Sequence, residues 1–114
     1  MKKAVNMIYR IAEASDWADA QLNGAFASAD LKLEGFIHCS EHHQILRTAA
    51  KYYAGKKPLL LLEIDETKIL SILKREDSLG RGEMFPHVYA PIPLRAIIRN
   101  FNFIETNMEF ILPF

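Results

Sequence analysis

The segment Pro58-Leu59-Leu60-Leu61-Leu62-Glu63-Ile64-Asp65 constrains this chain more than any other. Four leucines and an isoleucine leave no regular polar position between them, so an extended segment here has no face to give to water. It reads as a strand buried on both faces. Its unbroken apolar part, Leu59 to Leu62, is far too short to cross a bilayer. Such a strand needs cover, and 114 residues can supply it. A chain of this size buries roughly two-thirds of its unfolded surface around one core, without disulfides or metal. With 50% hydrophobic and 25% charged residues, the composition is that of one ordered domain over residues 1–114, and two domains are not feasible. Lys plus Arg and Asp plus Glu number 14 each, for a formal charge of zero. That excludes the basic excess of an extended nucleic-acid groove and leaves room for a local anion pocket.

Other elements follow from spacing. Val5 to Ile11 alternates, with Val5, Met7, Tyr9 and Ile11 on one face and Asn6, Ile8 and Arg10 on the other, as in a half-buried strand. Ser15 or Asp16 offers an N-cap for a helix that Gly24 stops, with Trp17 turned to the core. Gly35 to Ser40 reads as a short strand running into a helix, with Ser40 as its N-cap. Ile45, Leu46, Ala49, Ala50, Tyr52 and Tyr53 recur at helical spacing until Gly55. Glu66 to Arg75 fits a turn of helix or a strand, and Asp77 to Gly82 a loop. Pro86, Pro91 and Pro93 exclude a long central strand between Glu83 and Pro93. Ile97 to Ile104 is a late strand with Ile97, Phe101 and Phe103 on one face. The apolar tail, Glu109 to Phe114, is a last strand or a docked end. The sum is an α+β fold with four to six short strands and two main helices.

Residues with chemical potential gather at Arg10, at the His38-Cys39-Ser40 corner, and at Glu83 with His87 and Tyr89. Period-two geometry puts His38 with Phe36 on one face, and His87 with Tyr89. A site between strands could therefore assemble Arg10, His38, His87 and Tyr89. Each histidine alone is equally well explained as a satisfied, half-buried side chain; the clustering favours a site. Glu83 lies beside a glycine-containing loop, and the prolines fix its approach to His87. Ser40, at a helix start, could join His38 and Arg10 in holding a phosphate. Glu63 and Asp65 are adequately explained by a solvated edge.

Metal is not indicated. His38, Cys39, His42 and His43 lack the ligand spacing of a zinc site. Cys39 falls on the Ile37 face, away from His38, and reads as a small core residue before it reads as a nucleophile. As the single cysteine it needs no oxidising compartment. The start, Met1-Lys2-Lys3-Ala4-Val5, has the look of a signal peptide, but Asn6 and Arg10 interrupt it, so a cytoplasmic protein is expected.

Several blocks together carry a family resemblance: Ile8-Tyr9-Arg10-Ile11, Asp16-Trp17, Glu34-Gly35-Phe36-Ile37-His38-Cys39-Ser40, Leu62-Glu63-Ile64-Asp65, and Gly82-Glu83-Met84-Phe85-Pro86-His87-Val88-Tyr89-Ala90-Pro91-Ile92-Pro93. In order and spacing the chain resembles the bacterial domain-of-unknown-function family 952. The resemblance implies a fold similar to the ADP-ribosyltransferase superfamily, which includes RNA 2′-phosphotransferases and holds NAD in a cleft of a small split, mixed or antiparallel sheet. It implies Arg10 on the first strand, His38 on a second pocket strand, and Glu83 or His87 near the third. The family usually reads Ile-Tyr-His-Ile where this chain has Arg10; arginine keeps its charge and cannot shuttle a proton as histidine does.

On this reading Glu83 and His87 would serve catalysis. Glu83 would stabilise positive charge developing at the ribose. Arg10, His38 and Ser40 would hold the ligand, and Tyr89 would stack on a ring. NAD is the implied substrate or ligand. Three readings stand: an NAD-using transferase, a non-catalytic module binding a nucleotide or other small anion in the same cleft, and an assembly protein working through the aromatic segment 101–114.

Overall fold

The computed structural model describes residues 6–114. The leucine-rich segment is β4 (Leu59–Asp65), and it lies between β1 (Met7–Glu13) and β8 (Ile97–Phe103) in an antiparallel three-stranded sheet. Its pleat feeds two cores. Leu62 and Ile64 join Ile8, Ala12, Phe26, Ile37, Val88 and Ile92 on one side, whereas Leu59 and Leu61 join Tyr9, Ile11, Ile45, Ala49, Phe103 and Phe110 on the other. Fully burying one such side chain contributes about 1.5–3 kcal/mol, which is why both faces of this strand can be apolar.

The first strand was expected to be half-buried and to begin at Val5. Val5 lies outside the described residues, and Ile8 to Ala12 are all buried, because β1 shares both cores with β4. The expected alternation holds: Tyr9 and Ile11 enter one core, Ile8 and Ala12 the other.

Helix α1 (Ala14–Asn23) starts two or three residues earlier than expected, with Glu13 at the N-cap in place of Ser15 or Asp16, and ends at Gly24, whose φ of 84° suits a residue without Cβ. Trp17 and Ala20 pack on the first core. After β2 (Ala25–Phe26) comes α2 (Ala29–Glu34), a helix that the apolar pattern did not reveal, since none of its residues is fully buried. Its signals were local: Ser28 at the N-cap and Gly35, at φ 91°, after its end.

Strand β3 (Ile37–His38) is followed by a single bridge between Tyr9 and Ser40. Ser40 is therefore not the expected N-cap. A 3-10 turn over His42–Gln44 intervenes, with Glu41 at its N-cap and the Glu41 N–H donating to Gln44 Oε1 at 2.9 Å. The α-helix proper, α3, runs Ile45–Tyr52 and stops before Gly55.

The ambiguous stretch after β4 resolves into two 3-10 turns, Glu66–Lys68 and Leu70–Ile72, and β5 (Leu73–Glu76). Strand β6 (Phe85–Val88) lies between β3 and β5 in a second antiparallel sheet. The prolines do exclude a long strand here but not a central one. At only four residues, β6 accommodates Pro86, whose carbonyl accepts from Cys39 N–H at 3.0 Å. Strand β7 (Ile92–Pro93) pairs with β2.

In β8 a register shift separates the Glu63–Arg99 pair from the Ile64–Ile97 pair, leaving Ile98 as an extra residue. The bulge overturns one expectation. Ile97 packs on the first core and Phe101 and Phe103 on the second, because one inserted residue exchanges the faces of a strand.

The tail forms a hairpin of β9 (Glu105–Thr106) and β10 (Glu109–Phe110) and then docks. Phe114 lies 5.7 Å from the Tyr9 ring and 5.2 Å from that of Phe101. Much of the aromatic surface considered for assembly is thus spent inside the chain. Glu63 also departs from expectation. At 5% exposed it accepts from Tyr9 Oη at 2.9 Å and from Arg99 Nε at 2.7 Å, a bridge across three strands in place of a solvated edge. Asp65, also buried, caps the next turn by accepting from Thr67 N–H at 3.0 Å. The architecture is α+β, with small antiparallel sheets and few helices. Among the described residues no helix is long and apolar enough to cross a membrane.

Candidate functional site

The β3–β6–β5 sheet has two unlike faces. Ile37 pairs with Val88 and Val88 with Leu73, and all three pack on the first core. In the next row His38 pairs with His87 and His87 with Lys74, so their side chains stand on the opposite face. Two residues along on that face stand Phe36 and Tyr89 in one direction and Glu76 in the other. The alternation read from the sequence therefore places Phe36, His38, His87 and Tyr89 together, and the pairing of β6 with β5 adds Glu76.

The imidazole of His87 is 2% exposed and stacks on Phe36 with ring centroids 4.0 Å apart. His38 meets it edge to face at 5.4 Å. Glu76 Oε1 lies 2.8 Å from His87 Nδ1 and also accepts from Tyr89 Oη. Hydrogen bonds from Tyr89 and His87 hold the Glu76 carboxyl below the usual carboxylate range. An ionised carboxylate only accepts, so His87 Nδ1 carries the proton of this bond and its Nε2 is the open position. His38 has a carboxylate of its own: Glu34 Oε1 lies 3.1 Å from its Nε2.

Arg10 is 8% exposed, and its Nη1 donates to Asp30 at 2.7 Å and to the His38 carbonyl at 2.9 Å. Its guanidinium lies over the Phe26 ring, 5.7 Å from the centroid. Asp30 also accepts from the His38 N–H at 2.8 Å, from the Leu31 N–H at 3.1 Å and from the Ser28 hydroxyl. Burial by itself would raise Asp30, but Arg10, the His38 amide and Ser28 outweigh it and hold the carboxyl below its ordinary range. The pair clamps α2 and β3 onto β1. Arg10 Nε is buried without a partner, so this guanidinium retains a donor that the clamp does not use.

Arg10, His38, Ser40, Glu83 and His87 all line one cavity of about 970 Å³. Tyr53, Phe36 and Phe85 add aromatic wall; Lys51 and Arg81 add cations that have no carboxylate partner among the described residues. Tyr89 is not in the lining: its hydroxyl is on Glu76, and Lys74 covers its ring at 5.2 Å. Glu83 is on the wall but engaged, accepting from Gln44 Nε2 at 3.0 Å and from Arg47. Those two partners hold it below the usual range against its partial burial. Ser40 directs its hydroxyl at Thr48, 3.4 Å away.

Cys39 lies on the core side, as expected, and burial pushes its thiol up to about 12, the opposite of an activated nucleophile. Sequence reasoning did not single out Asp30, Glu76, Glu34, Lys51 or Arg81. Asp30 was findable from the Ser28-x-Asp30 start of a capped turn; Glu76 required knowing which strand pairs with β6.

Comparison with known proteins gives the lineage. In a crystal structure, protein CC0527 from Caulobacter crescentus is 33% identical to this chain, with 91% of each chain covered and a TM-score of 0.84. Its solution NMR structure matches with a TM-score of 0.77 over 91% of this chain and 90% of that one. No protein with a curated description matches. Residues 11–100 match the family described as "Protein of unknown function (DUF952)", and the chain belongs to that family.

Proposed function

We propose that this chain binds a small phosphate-bearing, nucleotide-like ligand in the cavity between α3 and the histidine face of the second sheet. The observation that carries this reading is the convergence of Arg10, His38, Ser40, Glu83 and His87 on one cavity of about 970 Å³. That size suits a nucleotide. Phe36 and Tyr53 offer flat apolar surface for a base, and Lys51 and Arg81 offer charge for phosphate oxygens. With the Arg10 charge matched by Asp30, unmatched cations such as Lys51 and Arg81 are the stronger phosphate ligands. The lone thiol, which no disulfide needs, accords with the cytoplasmic location expected above.

The test is calorimetric titration of the full chain with NAD, ADP-ribose and AMP at millimolar concentration. Binding is expected with at least one of them, weakened at least tenfold by Lys51→Ala with Arg81→Ala. Absence of heat with all three overturns the reading.

A second reading, an NAD-using transferase of ADP-ribosyltransferase-like fold, is favoured by the ionised Glu83 carboxylate on the same wall. It alone requires free nicotinamide to accumulate with NAD, and Glu83→Gln would abolish that release.

A further inference from the structure

The cavity contains two imidazoles, 5.4 Å apart between centroids, each with a ring nitrogen on a carboxylate: His87 on Glu76 and His38 on Glu34. The two rings differ in setting. His87 is enclosed by Phe36 stacking at 4.0 Å, and its donation from Nδ1 to Glu76 leaves Nε2 with its lone pair. Arg10 Nε is the one side-chain polar atom among the described residues that is sealed without a partner. His87 Nε2, also without a partner, therefore opens on the cavity that its ring lines. His38 has a half-exposed side chain, so water can solvate its imidazolium while Glu34 balances the charge. One ring thus turns an unpaired nitrogen to the cavity, and the other stands between solvent and a carboxylate.

Resting on the reading that the cavity takes a phosphate-bearing ligand, we propose that His87 and His38 form a general base and general acid that hydrolyse a nucleoside cyclic phosphodiester. His87 Nε2 removes a proton from water as the water oxygen bonds to phosphorus. The bond from phosphorus to the 2′ or 3′ oxygen breaks, and that oxygen takes a proton from the His38 imidazolium. The product is a nucleoside phosphomonoester. The two rings regain their starting protonation by exchange with solvent. Lys51 and Arg81 face the charge on the non-bridging oxygens. Glu76 is a positioning residue that fixes the tautomer of His87.

The full chain is incubated with 2′,3′-cyclic AMP and followed by phosphorus NMR, beside calorimetry with AMP. Conversion to a monoester is expected. His38→Ala, whose half-exposed side chain can be removed without opening the core, and His87→Asn should each slow it by about 10²–10⁴-fold. Glu76→Gln should slow conversion and displace the acidic limb of its pH profile, the limb set by the base His87, read with Lys74, Tyr89, His38 and Glu34 as the other titratable groups facing the ring.

AMP binding without conversion overturns the acid–base pair and leaves ligand binding intact. Neither binding nor conversion overturns both. Undiminished conversion by His38→Ala also refutes the pair.

Discussion

Replacing Asp30 with alanine tests whether the Arg10 clamp organises the site. The carboxylate accepts from Arg10 Nη1 at 2.7 Å, from two backbone N–H groups and from Ser28, and the paired side chains are only 10% and 13% exposed. Removing it leaves a guanidinium on the edge of the core with no direct counter-ion. Breaking a buried pair from one side costs about 3–5 kcal/mol. Asp16 lies close enough to Arg10 for each to affect the other's charge, which argues for the lower end, about 3 kcal/mol.

Urea unfolding followed by Trp17 fluorescence and circular dichroism would read that loss as a lower midpoint with unchanged slope. For a domain of this size it corresponds to a fall in Tm of about 12 °C. The paired replacement Arg10→Met with Asp30→Leu should recover most of the loss, since an apolar pair leaves no charge stranded. The lowered pKa of Asp30 fixes the sign with pH. Its contribution is present above the unfolded pKa and is lost as pH falls through the folded one, so Asp30→Ala should flatten the acid limb of stability. A loss below about 1 kcal/mol, or a double variant no better than Asp30→Ala, would refute the clamp.

Other outcomes are equally specific. Leu62→Ala, at a fully buried position between the two outer strands of the first sheet, should cost about 2–5 kcal/mol in urea unfolding. Burial and the Glu63 carboxylate push the Tyr9 phenol up to about 12, so ultraviolet titration should show a tyrosine ionising near there that is lost in Tyr9→Phe. Because that folded value is raised, the stabilisation is complete below the unfolded pKa and disappears as pH rises through about 12. Cys39 should resist a thiol reagent in the native protein and react at once in urea.

What could be read from the sequence follows the range of the forces involved. The doubly buried strand, the Gly24 stop and the shared faces of Phe36 with His38 and His87 with Tyr89 depend on residues two to four apart, and the structure has them. The first sheet's bulge does not: Ile98 is extra only relative to Glu63 and Ile64, some thirty-five positions earlier. The Glu76–His87 contact likewise waits on the pairing of β5 with β6, and β5 lay in the stretch where helix and strand signals were balanced. Helix α2 was hidden because it buries no full residue, and with it went the partner of Arg10. Ser40 misled for the opposite reason: a local capping signal was outcompeted by its backbone bridge to Tyr9, N–H to carbonyl at 2.9 and 2.7 Å.

The extra residue in β8 also bears on how the molecule tolerates change. Through Ile98, a single strand sends Ile97 to one core and Phe101 and Phe103 to the other. Shortening the strand there by one residue would not trim a loop. It would turn the aromatic end toward the wrong side of the sheet and expose what Phe103 now covers. A site of modest exposure, where substitution is cheap, is therefore one where deletion is ruinous: the side chain of Ile98 is expendable, but its place in the count is not.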